Sequence, residues 1–143
     1  MKRLCLLVIS ALVAALVLVA GVAQAKGIPT KVVITGPGLV HPLVVTGAAA
    51  HPLGMFSLDD FNHPLAQVPT HLGPGYLLVR DDFDHLRYYP AARQHAGYIY
   101  YIGIVHNGWS AYDHHWYRAG AKGEHALQHI LVSHGVVLPA AQP

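Results

Sequence analysis

Cysteine is almost missing: this chain of 143 residues has one, Cys5. A lone cysteine excludes an internal disulfide framework and any cysteine-based zinc site. Charge is scarce as well. Asp, Glu, Lys and Arg together make 11% of the chain, against about a quarter in ordinary domains. Lys and Arg do not cluster outside the first three residues, which excludes the basic footprint of a nucleic-acid binder. Beyond residue 25 the only serines are Ser57, Ser110 and Ser133, and none lies in a Gly-x-Ser-x-Gly elbow. The segments Gly36-Pro37-Gly38 and Gly73-Pro74-Gly75 lack the Gly-Lys-Ser/Thr ending of a phosphate loop. What is not scarce is apolar surface. Hydrophobic residues make 53% of the chain, so it can bury a core and is not intrinsically disordered. Its length suits one domain.

The first 25 residues have the form of an export address. Lys2 and Arg3 make a positive start, residues 4–22 are apolar apart from Ser10 and Gly21, and Ala23-Gln24-Ala25 offers a small-x-small cleavage site. A cleaved signal peptide over residues 1–25 is expected, with a single α+β domain over residues 26–143. The alternative is an uncleaved N-terminal membrane anchor, since the apolar run approaches the ~20 residues that span a bilayer. Without Lys2 and Arg3, seven basic side chains face seven acidic ones, so the mature chain is formally neutral. Export without disulfides fits the bacterial envelope or medium better than a small eukaryotic secreted domain.

Periodicity and turn chemistry predict an α+β fold. An antiparallel sheet of four to six strands is expected, with a C-terminal amphipathic helix and a shorter helix in the first half. The two Gly-Pro-Gly segments read as tight reversals. Residues 31–35 form a β-branched strand, and residues 39–46 its return, with His41-Pro42 as an edge or bulge feature. Residues 48–61 are spaced as the short helix, with Pro52 in its first turn. Residues 62–72 carry Pro64 and Pro69 and read as an irregular linker. Strands follow at 76–80, 85–89 and 98–105. The last is rich in aromatic and β-branched residues on both faces and is expected to be central and covered. Asn107-Gly108 favours a hairpin, after which residues 114–118 pair back. Residues 122–134 form the amphipathic helix with Ala126, Leu127, Ile130 and Leu131 inward and Gly135 as its cap.

Histidine is the compositional outlier, with twelve residues, all of them beyond the export segment. Neutral imidazole is a ligand for zinc and copper. His125 and His129 stand i, i+4 on the predicted helix, where both can reach one ion. They do not make a metalloprotease helix, because Ala126 rather than Glu follows the first histidine. His114 and His115 form a second cluster, although neighbours on a strand face opposite ways. His125, His129 and one of His114 or His115 would complete a Zn or Cu site if the last helix packs on the last strand. The plainer reading is a set of exposed, unpaired rings. His-Pro-Leu occurs at residues 41, 51 and 63; the spacing is too short and uneven for a solenoid repeat. Asp81, Asp82 and Asp84 are the one carboxylate cluster. The loop lacks the glycine at position six of a calcium-binding helix–loop–helix, where Leu86 stands. A solvated turn with ion pairs to Arg80 and Arg87 is expected there.

Tyrosine is the second outlier: eight residues, joined by two tryptophans. Tyrosines alternating along strands can line a groove for a glycan, peptide or protein, offering apolar faces with hydrogen-bonding tips. They also serve as ordinary sheet formers. The candidate ligand-binding residues are Tyr98, Tyr100, Trp109 and Trp116.

Four stretches give a resemblance. They are residues 26–39 with Thr35-Gly36-Pro37-Gly38-Leu39, the Phe-Asp-x-Leu-Arg-Tyr-Tyr-Pro run at 83–90, Tyr-x-Tyr-Tyr-x-Gly at 98–103, and Trp116-Tyr117-Arg118 before the last helix. In these the chain resembles a family of small exported bacterial proteins of unknown function. The resemblance covers most of the mature chain and implies export and one compact domain. It implies no catalytic residues.

Three functions follow as expectations. The first is a non-enzymatic exported domain that binds a protein, glycan or small ligand through a tyrosine-lined sheet face. It needs rings that are not wholly buried in one core. The second is a histidine-based Zn or Cu binder. The third is a small hydrolase, which needs Ser or Asp within hydrogen-bond reach of His in a cleft. No nucleic-acid partner is expected, and a membrane partner only if the export segment is uncleaved.

Overall fold

The computed structural model describes residues 28–54, 63–91, 97–104 and 113–138. Six antiparallel strands form one sheet: β1 (Lys31–Thr35), β2 (Leu43–Thr46), β3 (Tyr76–Arg80), β4 (Asp84–Tyr89), β5 (Tyr98–Ile104) and β6 (Trp116–Arg118). Their spatial order is β2-β1-β3-β4-β5-β6. Strands β3 to β6 are thus a meander, and β1 with β2 joins it through the β1–β3 pairing. The C-terminal helix α1 spans Ala121–Ser133. The α+β architecture with an antiparallel sheet is as the periodicity predicts.

One sheet face and α1 make the core. Alternation puts Val32, Ile34, Tyr76, Leu78, Leu86, Tyr88, Ile99, Tyr101 and Tyr117 on the buried side. Helix α1 contributes Leu127 and Leu131. Its C-terminus closes in a Schellman arrangement: Gly135, at φ +80°, donates to the Val132 carbonyl at 2.9 Å, and Val136 to the Leu131 carbonyl at 3.0 Å. Val136 is buried in the same core as Leu131, the apolar contact such a cap calls for. At the other end of α1, Glu124 accepts hydrogen bonds from the Tyr88 hydroxyl (2.8 Å), the Gln128 amide (3.3 Å) and the Ala91 N–H (3.2 Å). Burial first, and the Glu124 carboxylate second, push the Tyr88 phenol far above its usual range; burial also raises Tyr76.

Those two phenols set an alkaline limit. An unfolded tyrosine loses its proton near pH ~10, while Tyr88 and Tyr76 hold theirs longer in the folded chain. Above that pH the folded state therefore binds more protons than the unfolded one, and stability falls as pH rises. Denaturant midpoints measured from pH 8 to 11.5 should be flat with respect to these groups up to about pH 9.5 and then decline. Absorbance at 295 nm should show the Tyr88 and Tyr76 phenolates appearing together with unfolding.

Several local expectations are corrected. The reversal at Gly36-Pro37-Gly38 forms, with Leu39 N–H on the Gly36 carbonyl at 3.3 Å. Gly73-Pro74-Gly75 does not form a turn; it leads directly into β3, and neither glycine has positive φ. The return strand after the first turn is shorter than residues 39–46, because Pro42 has no N–H for the ladder. The short helix in the first half is a pair of 3-10 turns, Gly47–Ala49 and His51–Gly54, and Leu53 alone of these is in the core. Residues 55–61 of that helix reading, and Asn107-Gly108, lie outside the described residues, as do residues 1–25, where an export segment is expected. Strand β5 is interior, yet only one of its faces lies in the core: Tyr98 and Tyr100 stay half-buried. A bulge interrupts its pairing with β4, since Leu86 pairs with Tyr101 and His85 with Gly103, leaving Ile102 as the extra residue. Among the described residues no helix is long and apolar enough to cross a membrane.

The Asp81-Asp82-Asp84 turn is the largest departure. Asp81 and Asp82 take φ +48° and +65°, and Phe83 N–H returns to the Arg80 carbonyl at 3.2 Å. Two left-handed residues in succession suit the twist of a β-hairpin. Asp81 Oδ1 accepts from Thr30 N–H (3.0 Å), Thr30 Oγ1 (2.9 Å) and Lys31 N–H (3.0 Å), tying the hairpin to the start of β1. Asp82 pairs with Lys31 Nζ at 2.7 Å in the open. Asp84 is not solvated. It is 5% exposed, beside Arg80 at 6%, and Arg80 Nη2 bonds both its carboxylate and the Tyr101 hydroxyl. Arg80 Nη1 also reaches the Leu53 carbonyl at 3.5 Å. Arg87, the other expected partner, faces away on the outer side of β4.

Candidate functional site

The strand register sorts the tyrosines into two sets. Tyr76, Tyr88, Tyr101 and Tyr117 point into the core. Tyr89, Tyr98 and Tyr100 point to the opposite face with Trp116, and all four are half-buried. Cross-strand pairing brings them together: Tyr98 lies between Tyr89 and Arg118, and Tyr100 between Arg87 and Trp116. Three of the rings meet at Trp116. Trp116 stands 5.0 Å from Tyr100 and 5.4 Å from Tyr89, tilted by 40° and 34°. These are favourable aromatic separations. Gly75 makes room for the end of the strip, since a Cβ there would lie 2.8 Å from the Tyr89 ring.

The irregular segment at 63–72 borders this strip. Leu65 N–H donates to the Trp116 carbonyl at 2.7 Å, which ties the segment to the edge strand β6. Between segment and sheet lies an open groove of about 590 Å³, lined by Leu65, Gln67, Val68, Thr70, His71 and Tyr98 among others. That volume is in the range of small-ligand sites. The sheet contributes Tyr98 to its lining, and the segment contributes both apolar and hydrogen-bonding groups. His71 is itself held, with Nδ1 3.1 Å from Thr70 Oγ1. Arg118 and Arg87 are exposed on the same face, one beside Tyr98 and one beside Tyr100.

Of the residues singled out from sequence, Tyr98, Tyr100 and Trp116 therefore share one surface, and Trp109 lies outside the described residues. Tyr89 completes the strip and was missed. The signal was present: Tyr88 and Tyr89 are adjacent on a strand, so one of them must face outward.

Among the described residues the histidines do not gather. His114 takes φ +61° and is exposed, with Nδ1 3.5 Å from the Tyr100 hydroxyl. His115 Nδ1 lies 2.7 Å from the Asp113 carbonyl. His125 and His129 are exposed on the outer side of α1, away from Leu127 and Leu131. Among the described residues no three His, Cys, Asp or Glu side chains come within reach of one metal ion. A Ser–His contact does occur: Ser133 Oγ is 3.2 Å from His134 Nδ1. Both groups sit on the Ile130 carbonyl at the exposed end of α1, where they satisfy the helix terminus. Compared with protein-family models, with curated proteins and with solved structures, the chain matches none.

Proposed function

We propose that this is a non-enzymatic exported domain of the bacterial envelope or medium that binds a saccharide chain on the outer aromatic face of its sheet. One observation carries the reading: Tyr89, Tyr98, Tyr100 and Trp116 form a continuous half-exposed strip outside the core, ending in the groove walled by residues 65–71. Sugar rings have apolar C–H faces that lie on aromatic rings and hydroxyls that need donors and acceptors at the rim. Gln67, Thr70, Arg118 and Arg87 stand at that rim. A flat protein partner fits less well. A stable protein interface covers ~800 Å² on each side, and the segment tied to Trp116 interrupts the face.

The test is a fluorescence titration of a Trp109→Phe variant, in which Trp116 is the sole indole, against a panel of soluble oligosaccharides. At least one glycan should shift the Trp116 emission saturably. Tyr98→Ala should weaken that glycan by about 2 kcal/mol, or roughly thirtyfold, whereas Tyr98→Phe keeps the ring and most of the affinity. No saturable change with any glycan, or equal affinity in Tyr98→Ala, would overturn the reading.

A further inference from the structure

Helix α1 has an exposed stripe that the aromatic face does not use. It runs along His125, His129, Val132 and Ser133, and one shallow depression of about 340 Å³ touches all four together with Gln128. Two imidazoles thus open onto a single concavity. On a helix, residues four apart have Cβ atoms ~5–6 Å from one another, a separation from which two ring nitrogens can meet one ion at ~2.0–2.1 Å.

Two further observations favour a ligand over idle surface. The first is availability. His71, His114, His115 and His134 each have a ring nitrogen within hydrogen-bond distance of a neighbour. Among the described residues, His125 and His129 have no such partner, as is also true of His41, His51 and His85, but these two share one helix face and one concavity. The second is rigidity. The helix is pinned before the pair by Glu124 on Tyr88 and Ala91, and after it by the cap at Gly135 and Val136. The spacing of the two Cβ atoms is therefore set before any ion arrives, so that binding has only the side-chain rotamers left to order.

We propose that His125 and His129 form a two-histidine clamp for a divalent transition-metal ion. Imidazole suits Cu²⁺, Ni²⁺ and Zn²⁺, and the general order of divalent affinities places Cu²⁺ first. Water fills the remaining coordination positions, so the ion is exchangeable. Lys122, one turn earlier on the exposed side, is the nearest cation along this helix; its long stem lets the ammonium turn into solvent. The site is independent of the saccharide reading, since no residue is shared.

The experiment is a calorimetric titration of the exported domain with Cu²⁺, and separately with Zn²⁺. One Cu²⁺ per chain should bind more tightly than any further ions, and chelator should reverse it. His125→Gln and His129→Gln should each weaken this first ion by ~100-fold, because each converts a two-point clamp into a single ligand. His71→Gln should leave it unchanged. Both clamp positions are exposed, so the variants should keep the native far-ultraviolet dichroism. A second measurement needs no variant. In the native protein, substoichiometric Cu²⁺ should first broaden the backbone NMR signals of residues 125–133, ahead of those around His114 and His115. Equal affinity in His125→Gln, or broadening that begins elsewhere, would overturn the clamp.

Discussion

Asp84→Ala should lower the free energy of unfolding by about 3–5 kcal/mol, the usual cost of removing one partner of a buried ion pair. The reason is the charge left behind. Arg80 is 6% exposed and stands under the 3-10 turn that carries Leu53. It depends on Asp84 for a counter-charge, and Tyr101 is the other side chain it bonds. Even in the native arrangement Arg80 Nε has no hydrogen-bond partner, so removing the carboxylate leaves a buried guanidinium still shorter of acceptors. Urea unfolding followed by tyrosine and tryptophan emission gives the measurement. The paired change Arg80→Met with Asp84→Leu removes both charges and should recover most of the loss, because apolar replacements of buried pairs are often neutral or stabilising. A single-variant loss below about 1 kcal/mol would mean that water reaches Arg80.

The second large effect is at Leu131. This side chain is fully buried, and its carbonyl accepts the N–H of Val136 in the helix cap. Leu131→Ala removes core volume and the apolar contact behind the cap, at a cost of about 2–5 kcal/mol. The same denaturant series measures it. Val132→Ala is the control one residue along. Val132 is exposed, so that change should stay within about 0.5 kcal/mol. Hydrogen exchange should show the loss in Leu131→Ala beginning at residues 131–136, before the sheet opens.

Much of this was legible in residue patterns. The inward stripe of α1, its glycine cap and strands β3 to β5 follow from periodicity and turn chemistry, because in each the local preference and the burial agree. The sequence pattern also placed Tyr98, Tyr100 and Trp116 as a group. What it missed, it missed for identifiable reasons. Gly73-Pro74-Gly75 has the composition of a turn, but the described residues just before it, 63–72, form no strand to be reversed. Residues 48–61 have helical spacing, but Pro52 and Gly54 fall within it, and short 3-10 turns at 47–49 and 51–54 suffice to bring Leu53 to the core. Asp84 looked like the third member of a solvated acidic turn. Only the cross-strand register places it opposite Arg80 on the buried face. Tyr89 was hidden by its neighbour Tyr88, since composition counts both and only the pleat separates them. The grouping of His125 and His129 with one of His114 or His115 depends on the last helix packing on the last strand. The helix instead turns Leu127 and Leu131 inward and leaves His125 and His129 facing solvent.

The attachment of β1 bears on the order in which the chain is assembled. Strands β3 to β6 pair with their neighbours in sequence. Strand β1 instead finds its second partner, β3, far downstream, and Thr30 waits for Asp81 across 51 residues. Closing that span is an entropic cost the β3–β4 hairpin does not carry. The hairpin, with its two left-handed aspartates, can form first and present Asp81 as a ready acceptor for the backbone of Thr30 and Lys31. Docking of β1 and β2 is then the late, slow event of refolding, as expected where non-local pairing follows local structure. A chain emerging from its N-terminus would hold β1 without its β3 ladder until residue 80 had appeared, with Val32 and Ile34 exposed in the interval.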